Sequence, residues 1–176
     1  MRQEFPSQRM DERSETIGEM VHDTEDLYEK EEPREETLQI IVFRLAREWY
    51  GVEIIKVKEI IKVGKITYLP SSPEHIVGIV NLRGNILSVT DLKTMLNLPH
   101  EELTEKTRII AIESGILETG LLVDEVVEAI EVPVSQIESP LPTLPLEEGQ
   151  YIEGQCKVDN KLVALINIEK VLEKRE

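Results

Sequence analysis

The groups best suited to chemistry in this 176-residue chain are few and scattered. Three histidines, His22, His75 and His100, share no metal-ligand spacing with one another or with Cys156, the single cysteine. No nucleophile-elbow motif, phosphate-binding glycine loop or dinucleotide fingerprint occurs. The 35 acidic residues offer no pair that spacing alone places together in a cleft, and solvated faces account for them. Catalysis, a cofactor and a metal are therefore not expected. One cation does stand out. The stretch "VGIVNLRGNILSVTDL", Val77 to Leu92, sets Arg83 beside Gly84 between two runs of branched apolar residues. Gly84 supplies positive φ at a tight turn without steric cost. Arg83 has no such duty. Two readings stand open for it: a loop residue bracing a local carboxylate, or a contact group for a partner.

The elements around that turn read as short strands. "TLQIIVFRL", "YGVEI" running into "IKVKEII", "KITYLP", "IVGIVNL" and "NILSVT" are rich in β-branched residues. "RIIAIES", "ILETGLLV", "GQCKV" and "KLVALI" follow in the same style. Arg83-Gly84, Ser114-Gly115 and Asp159-Asn160 are hairpin signals. Asp91 and Asn167 are good N-caps, and short helices are expected to begin there. Strands this short, with turns this frequent, predict a mainly β fold of barrels or a sandwich.

Charge divides the chain. Residues 1–36 hold 13 acids against 5 bases, about half of the formal net charge of −15. This segment reads as an acidic, disordered extension. A second reading takes Ile17, Met20, Val21, Leu27 and Tyr28 as one broken helical stripe that docks on the body or on a partner. An acidic chain without a basic run repels phosphate backbones and anionic lipid, so nucleic acid and direct membrane insertion are not expected. The start, "MRQEFPSQRMDERSE", lacks the apolar stretch of a signal peptide. A lone cysteine fits a reducing compartment, and the expected location is cytoplasmic.

The body, 37–176, is duplicated. With Gly51 set on Gly120, Val57 meets Val126, Glu59 meets Glu128 and Ile61 meets Ile130. Further on, Gly78 meets Gly154, Arg83-Gly84 meets Asp159-Asn160, Ile86 meets Leu162 and Asp91 meets Asn167. The extra residues of the second copy lie in "SPLPTLPLEEG", which reads as an extended, proline-spaced loop. Two copies of one β-rich unit predict two similar small barrels, opened by the strands at 38–45 and 107–113. At the matching turns the second copy uses Asp-Asn, so an ordinary polar turn suffices to fold the unit. Arg83 breaks the repeat in chemical type.

Those residues also carry a resemblance. "VGIVNLRGNILSVTDL" with its following helix resembles the signature of CheW-like coupling domains of bacterial chemotaxis. The likeness extends through "YGVEIIKVKEI", "GLLVDEVVEAI" and "YIEGQCKVDNKLVALINIEKVL", covering about residues 37–173. One departure is Ser88, where the family usually has proline. The resemblance implies two tandem five-stranded SH3-like barrels on a shared core and no catalytic activity. It implies an adaptor joining the cytoplasmic tip of a methyl-accepting chemoreceptor to the regulatory domain of a CheA-type histidine kinase, itself CheW-like. It places the partner-binding surface at Val57 and Glu59 and at Gly78, Asn81, Leu82, Arg83 and Gly84, with a groove between barrels taking a receptor helix. On this view Arg83 is an interaction residue. A related reading is an adaptor in a pilus or other non-flagellar pathway; a carboxylate-dependent enzyme on a double barrel is the reading from another class.

Overall fold

The computed structural model describes residues 34–174. Ten strands alternate with short helices: β1 (Thr37–Leu45), β2 (Glu48–Glu53), β3 (Val57–Lys62), β4 (Ile76–Leu82), β5 (Asn85–Asp91) and α1 (Leu92–Met95). There follow β6 (Arg108–Ser114), β7 (Leu117–Val123), β8 (Glu125–Pro133), α2 (Leu146–Gly149), β9 (Ile152–Val158), β10 (Lys161–Ile166) and α3 (Ile168–Glu173). The expected acidic extension lies almost wholly outside the described residues.

The strands form two five-stranded sheets, in the orders β8-β1-β2-β10-β9 and β3-β6-β7-β5-β4. The repeat is visible bond for bond. Val42 faces Gly51 and Ala111 faces Gly120 at matching places in the two central hairpins. Each unit has the same bulge: Phe43 faces Val126 and Val42 faces Glu128, as Ile112 faces Val57 and Ala111 faces Glu59. The tandem copies nevertheless do not each close one sheet. β3 to β5 join β6 and β7, and β8 to β10 join β1 and β2. The chain thus passes between sheets twice, at the 3₁₀ turn Ile54–Lys56 and at Asp124.

Central strands β1 and β6 bury both faces, which is why they read as unbroken apolar runs. Ile40 and Val42 point into the interior of the first sheet, and Ile109 and Ala111 into that of the second. Their neighbours Ile41, Phe43, Ile110 and Ile112 meet in a third cluster with α1 and α3. The two helices enter it because Asp91 and Asn167 cap them as expected, Asp91 accepting from the Lys93 N–H and Asn167 from that of Lys170.

Each sheet curls until its ends meet. Thr67, beyond β3, exchanges two 2.9 Å backbone bonds with Ile79 on β4. Glu138, beyond β8, does the same with Gln155 on β9 at 2.8 and 2.9 Å. "KITYLP" is therefore a single closing bridge and not a strand. At Gly78 a Cβ would collide with the Thr67 carbonyl oxygen, and at Gly154 it would lie 3.1 Å from that of Glu138. The glycines repeat because closure repeats. The loop 139–149 is less extended than its prolines suggest: Leu144 N–H bonds Leu141 O at 3.2 Å, and α2 follows Pro145.

Closure gives a stability test. Gly78→Ala must push back main chain, an overpacking cost of about 1–3 kcal/mol in urea unfolding. Gly64→Ala, with nothing within 4 Å of its added methyl, should stay within about 0.5 kcal/mol of wild type.

Candidate functional site

The Asn-Leu-Arg-Gly corner is built from the turn outward. Arg83 and Gly84 both have positive φ, +53° and +85°, as do Asp159 and Asn160 in the matching turn. These are the dihedral signs of the two-residue turn that suits a twisted hairpin. Asn81 locks it, its Oδ1 accepting from the Gly84 N–H at 2.9 Å. Leu82 is half-buried and packs on the interior of the second sheet. Glycine, asparagine and aspartate tolerate positive φ; arginine gains nothing from it. Its side chain is 79% exposed, and its guanidinium reaches Glu59 on β3 at 2.8 Å. Since β3 and β4 are the two ends of the sheet order, this ion pair also spans the closed seam.

Arg83, Glu59, Asn81, Leu82 and Gly84 therefore share one corner. Both open readings of Arg83 have a physical basis there: it braces a local carboxylate, and it still presents further N–H donors to solvent. An exposed pair of this kind adds at most about 1 kcal/mol of stability. The other two expected site residues sit differently. Gly78 is buried, and the close approach that its missing side chain permits comes from the chain's own Thr67, not from a neighbouring molecule. Val57 is half-buried opposite Ile112 and packs on the shared core. A residue not singled out from sequence, Ile86, lies directly opposite Asn81 with its side chain exposed. Alternation would have found it, because Leu87 and Val89 point inward on the same strand.

Ser88, the one departure noted within the resemblance, uses its hydroxyl: Oγ lies 2.9 Å from Thr119 Oγ1, which lies 2.8 Å from Thr90 Oγ1. The local strand pairing is intact, with Ser88 facing Ile79.

The remaining reactive groups are placed as follows. Cys156 is buried inside the first sheet, and burial pushes its thiol pKa up. His100 pairs with Asp91 at 2.8 Å. His75 is buried with its Nε2 unbonded, and burial lowers its pKa. His22 lies outside the described residues. Among the described residues no group of three His, Cys, Asp or Glu side chains is placed to hold a metal, and no helix is long and apolar enough to cross a membrane.

The family model for the CheW-like domain matches residues 39–176. The chain belongs to that family. It is 38% identical to the chemotaxis protein CheW of Bacillus subtilis over 136 residues, 77% of this chain and 87% of that one. It is 30% identical to the chemotaxis protein CheW of Helicobacter pylori over 145 residues, 82% of this chain and 87% of the relative. Among solved structures, the scaffolding protein TtCheW of Thermoanaerobacter tengcongensis superposes with a TM-score of 0.70 at 38% identity, covering 75% of this chain and 90% of that one. The two five-stranded sheets are those the resemblance implies, each drawing strands from both copies of the repeat.

Where the first crossing meets the end of the first unit, the CheW-like body carries an acidic group with an unusual affinity for protons. Glu153, though partly exposed, loses water at its carboxyl, and Glu53 and Glu169 repel its charge; its pKa is raised to about 7. Folding therefore favours its protonated form. That contribution is fully present below the ordinary carboxylate value and is lost as pH rises through about 7. Urea midpoints of Glu153→Gln and wild type should agree below about pH 4 and diverge above it, with the variant the more stable at about pH 8. A difference independent of pH would contradict this.

Proposed function

We propose that this chain is a non-enzymatic coupling protein that joins the cytoplasmic tip of methyl-accepting chemoreceptors to the regulatory domain of a CheA-type histidine kinase. It would act in the cytoplasm, at receptor arrays on the inner face of the membrane. The family supports the adaptor class: relatives carry the name of chemotaxis proteins and the solved one is a scaffolding protein. The observation that carries the reading is Arg83, an exposed guanidinium held at positive φ on a turn that its twin builds from Asp159 and Asn160.

Chemical complementarity favours a partner of the same fold. The turn end of one unit offers Arg83 with the exposed Ile86 beside it. The matching end of the other unit offers Asp159 with exposed Glu128 on the neighbouring seam. A kinase domain that is itself CheW-like would bring such an acidic end to Arg83, whose planar fork suits a carboxylate. The receptor helix would lie along the crossing between the units, where Ile54 and Val57 are half-buried against the shared core in the helix-in-groove mode.

Calorimetry of the full chain against the CheW-like regulatory domain of a CheA-type kinase from the same genome tests the reading. Saturable binding is expected, retained by a chain lacking residues 1–36. Arg83→Ala should weaken it roughly tenfold or more while moving folding stability by less than about 1 kcal/mol. No binding to any such kinase would overturn the kinase half of the proposal.

A further inference from the structure

The two passages of the chain between sheets are each held by an ion pair from the same helix position with the charges reversed, the crossing partners Asp124 and Lys56 lying one place apart in the repeat, which sets Lys56 on Glu125. Lys93, in the first turn of α1, bonds Asp124 at 2.6 Å, immediately before β8. The repeat places Glu169, in the first turn of α3, on Lys93, and Glu169 bonds Lys56 at 2.6 Å, immediately before β3. Each helix thus fastens a crossing by a side chain in its first turn. The neighbouring hairpin turns match as well: Ala46 and Gly115 both have positive φ, +53° and +61°. Ala46 N–H bonds Asp124 at 2.7 Å, and Ser114 Oγ bonds Glu169 at 3.3 Å.

The clamps differ in burial. Lys93 and Asp124 side chains are 5% and 11% exposed, whereas those of Lys56 and Glu169 are 28% and 49% exposed. Breaking a buried pair strands a charge away from water; a half-exposed pair is in competition with solvent. One crossing is welded and the other can be released. The releasable one carries Ile55, 83% exposed, and opens the strand that holds Val57 and Glu59. The bond itself shows in both partners: hydrogen bonding to Glu169 raises the Lys56 pKa, and the same bond holds Glu169 below the usual carboxylate range.

We propose that Lys56 and Glu169 are positioning residues that hold the Ile54–Lys56 crossing, and with it Ile55 and the start of β3, in the orientation a partner helix reads. This rests on the adaptor reading above and adds to it the element by which that surface is set. The partner class is a helix bringing apolar side chains to Ile55 and Val57. A basic side chain on it would find the acids Glu53, Glu153 and Glu169 gathered around a single lysine, Lys56.

The test is a charge-swap cycle on the full chain: Lys56→Glu, Glu169→Lys and the double variant. Each is read by amide hydrogen exchange across residues 54–59 and by affinity for a soluble chemoreceptor hairpin fragment. Each single reversal should speed exchange at the crossing and weaken binding roughly fivefold or more, and the swap should restore both, while β1 and β6 keep wild-type protection. Singles that leave exchange and affinity unchanged, or losses that the swap does not recover, overturn the positioning role. A wild-type chain that does not bind the fragment instead sinks the receptor half of the adaptor reading and removes the surface being positioned.

Discussion

Neither sheet of this molecule can be completed from one half of the sequence. Each takes its central hairpin from one repeat and its three remaining strands from the other. That exchange forces β1 and β6 to lie between two interiors, so both of their faces must be apolar. It also forces two crossings, and the helices after β5 and β10 are capped where they can fasten them. The two units therefore share a core and cannot move as independent domains. A surface spanning both is held by that shared core.

The surface features follow from how each sheet closes. Closure requires a strand with no side chain where the returning segment passes, which Gly78 and Gly154 supply. It brings the β4–β5 turn over β3, so that whatever residue stands at position 83 lies beside Glu59. In the twin unit the same geometry is met with Asp159 and Asn160, residues suited to positive φ. Folding explains the turn, and of the arginine it explains the brace to Glu59 but not the exposure of the rest of its side chain. Ile86, on the strand that follows the turn, is exposed as well.

Much of this was legible in the chain. The repeat, its matching glycines, the paired turns and both helix caps were fixed by residue type, because positive φ, close approach and orphan N–H groups admit few side chains. The strand exchange was not legible. β1 and β6 are repeat equivalents, so Val57 finds an equally good partner in Phe43 or Ile112, and sequence cannot say which of two like neighbours is used. The loop 139–149 was misread because prolines set φ without preventing the turn that Leu144 closes on Leu141. Of the expected site residues, Arg83 alone was singled out by the break in the repeat, while Asn81 and Leu82 rested on the family resemblance and Gly84 on the needs of the turn. Gly78 was readable as a glycine in need of space, though not as one whose space its own chain fills.

The central claim is that the molecule works by holding two proteins together and not by chemistry. The most direct test is a reconstituted phosphorylation assay, in which a CheA-type kinase and membrane vesicles bearing its receptor are mixed with and without this chain. The account predicts that kinase activity follows receptor ligand only when the chain is present, that the response saturates with its concentration, and that Arg83→Ala blunts it. A kinase that responds equally well without the chain would contradict the account.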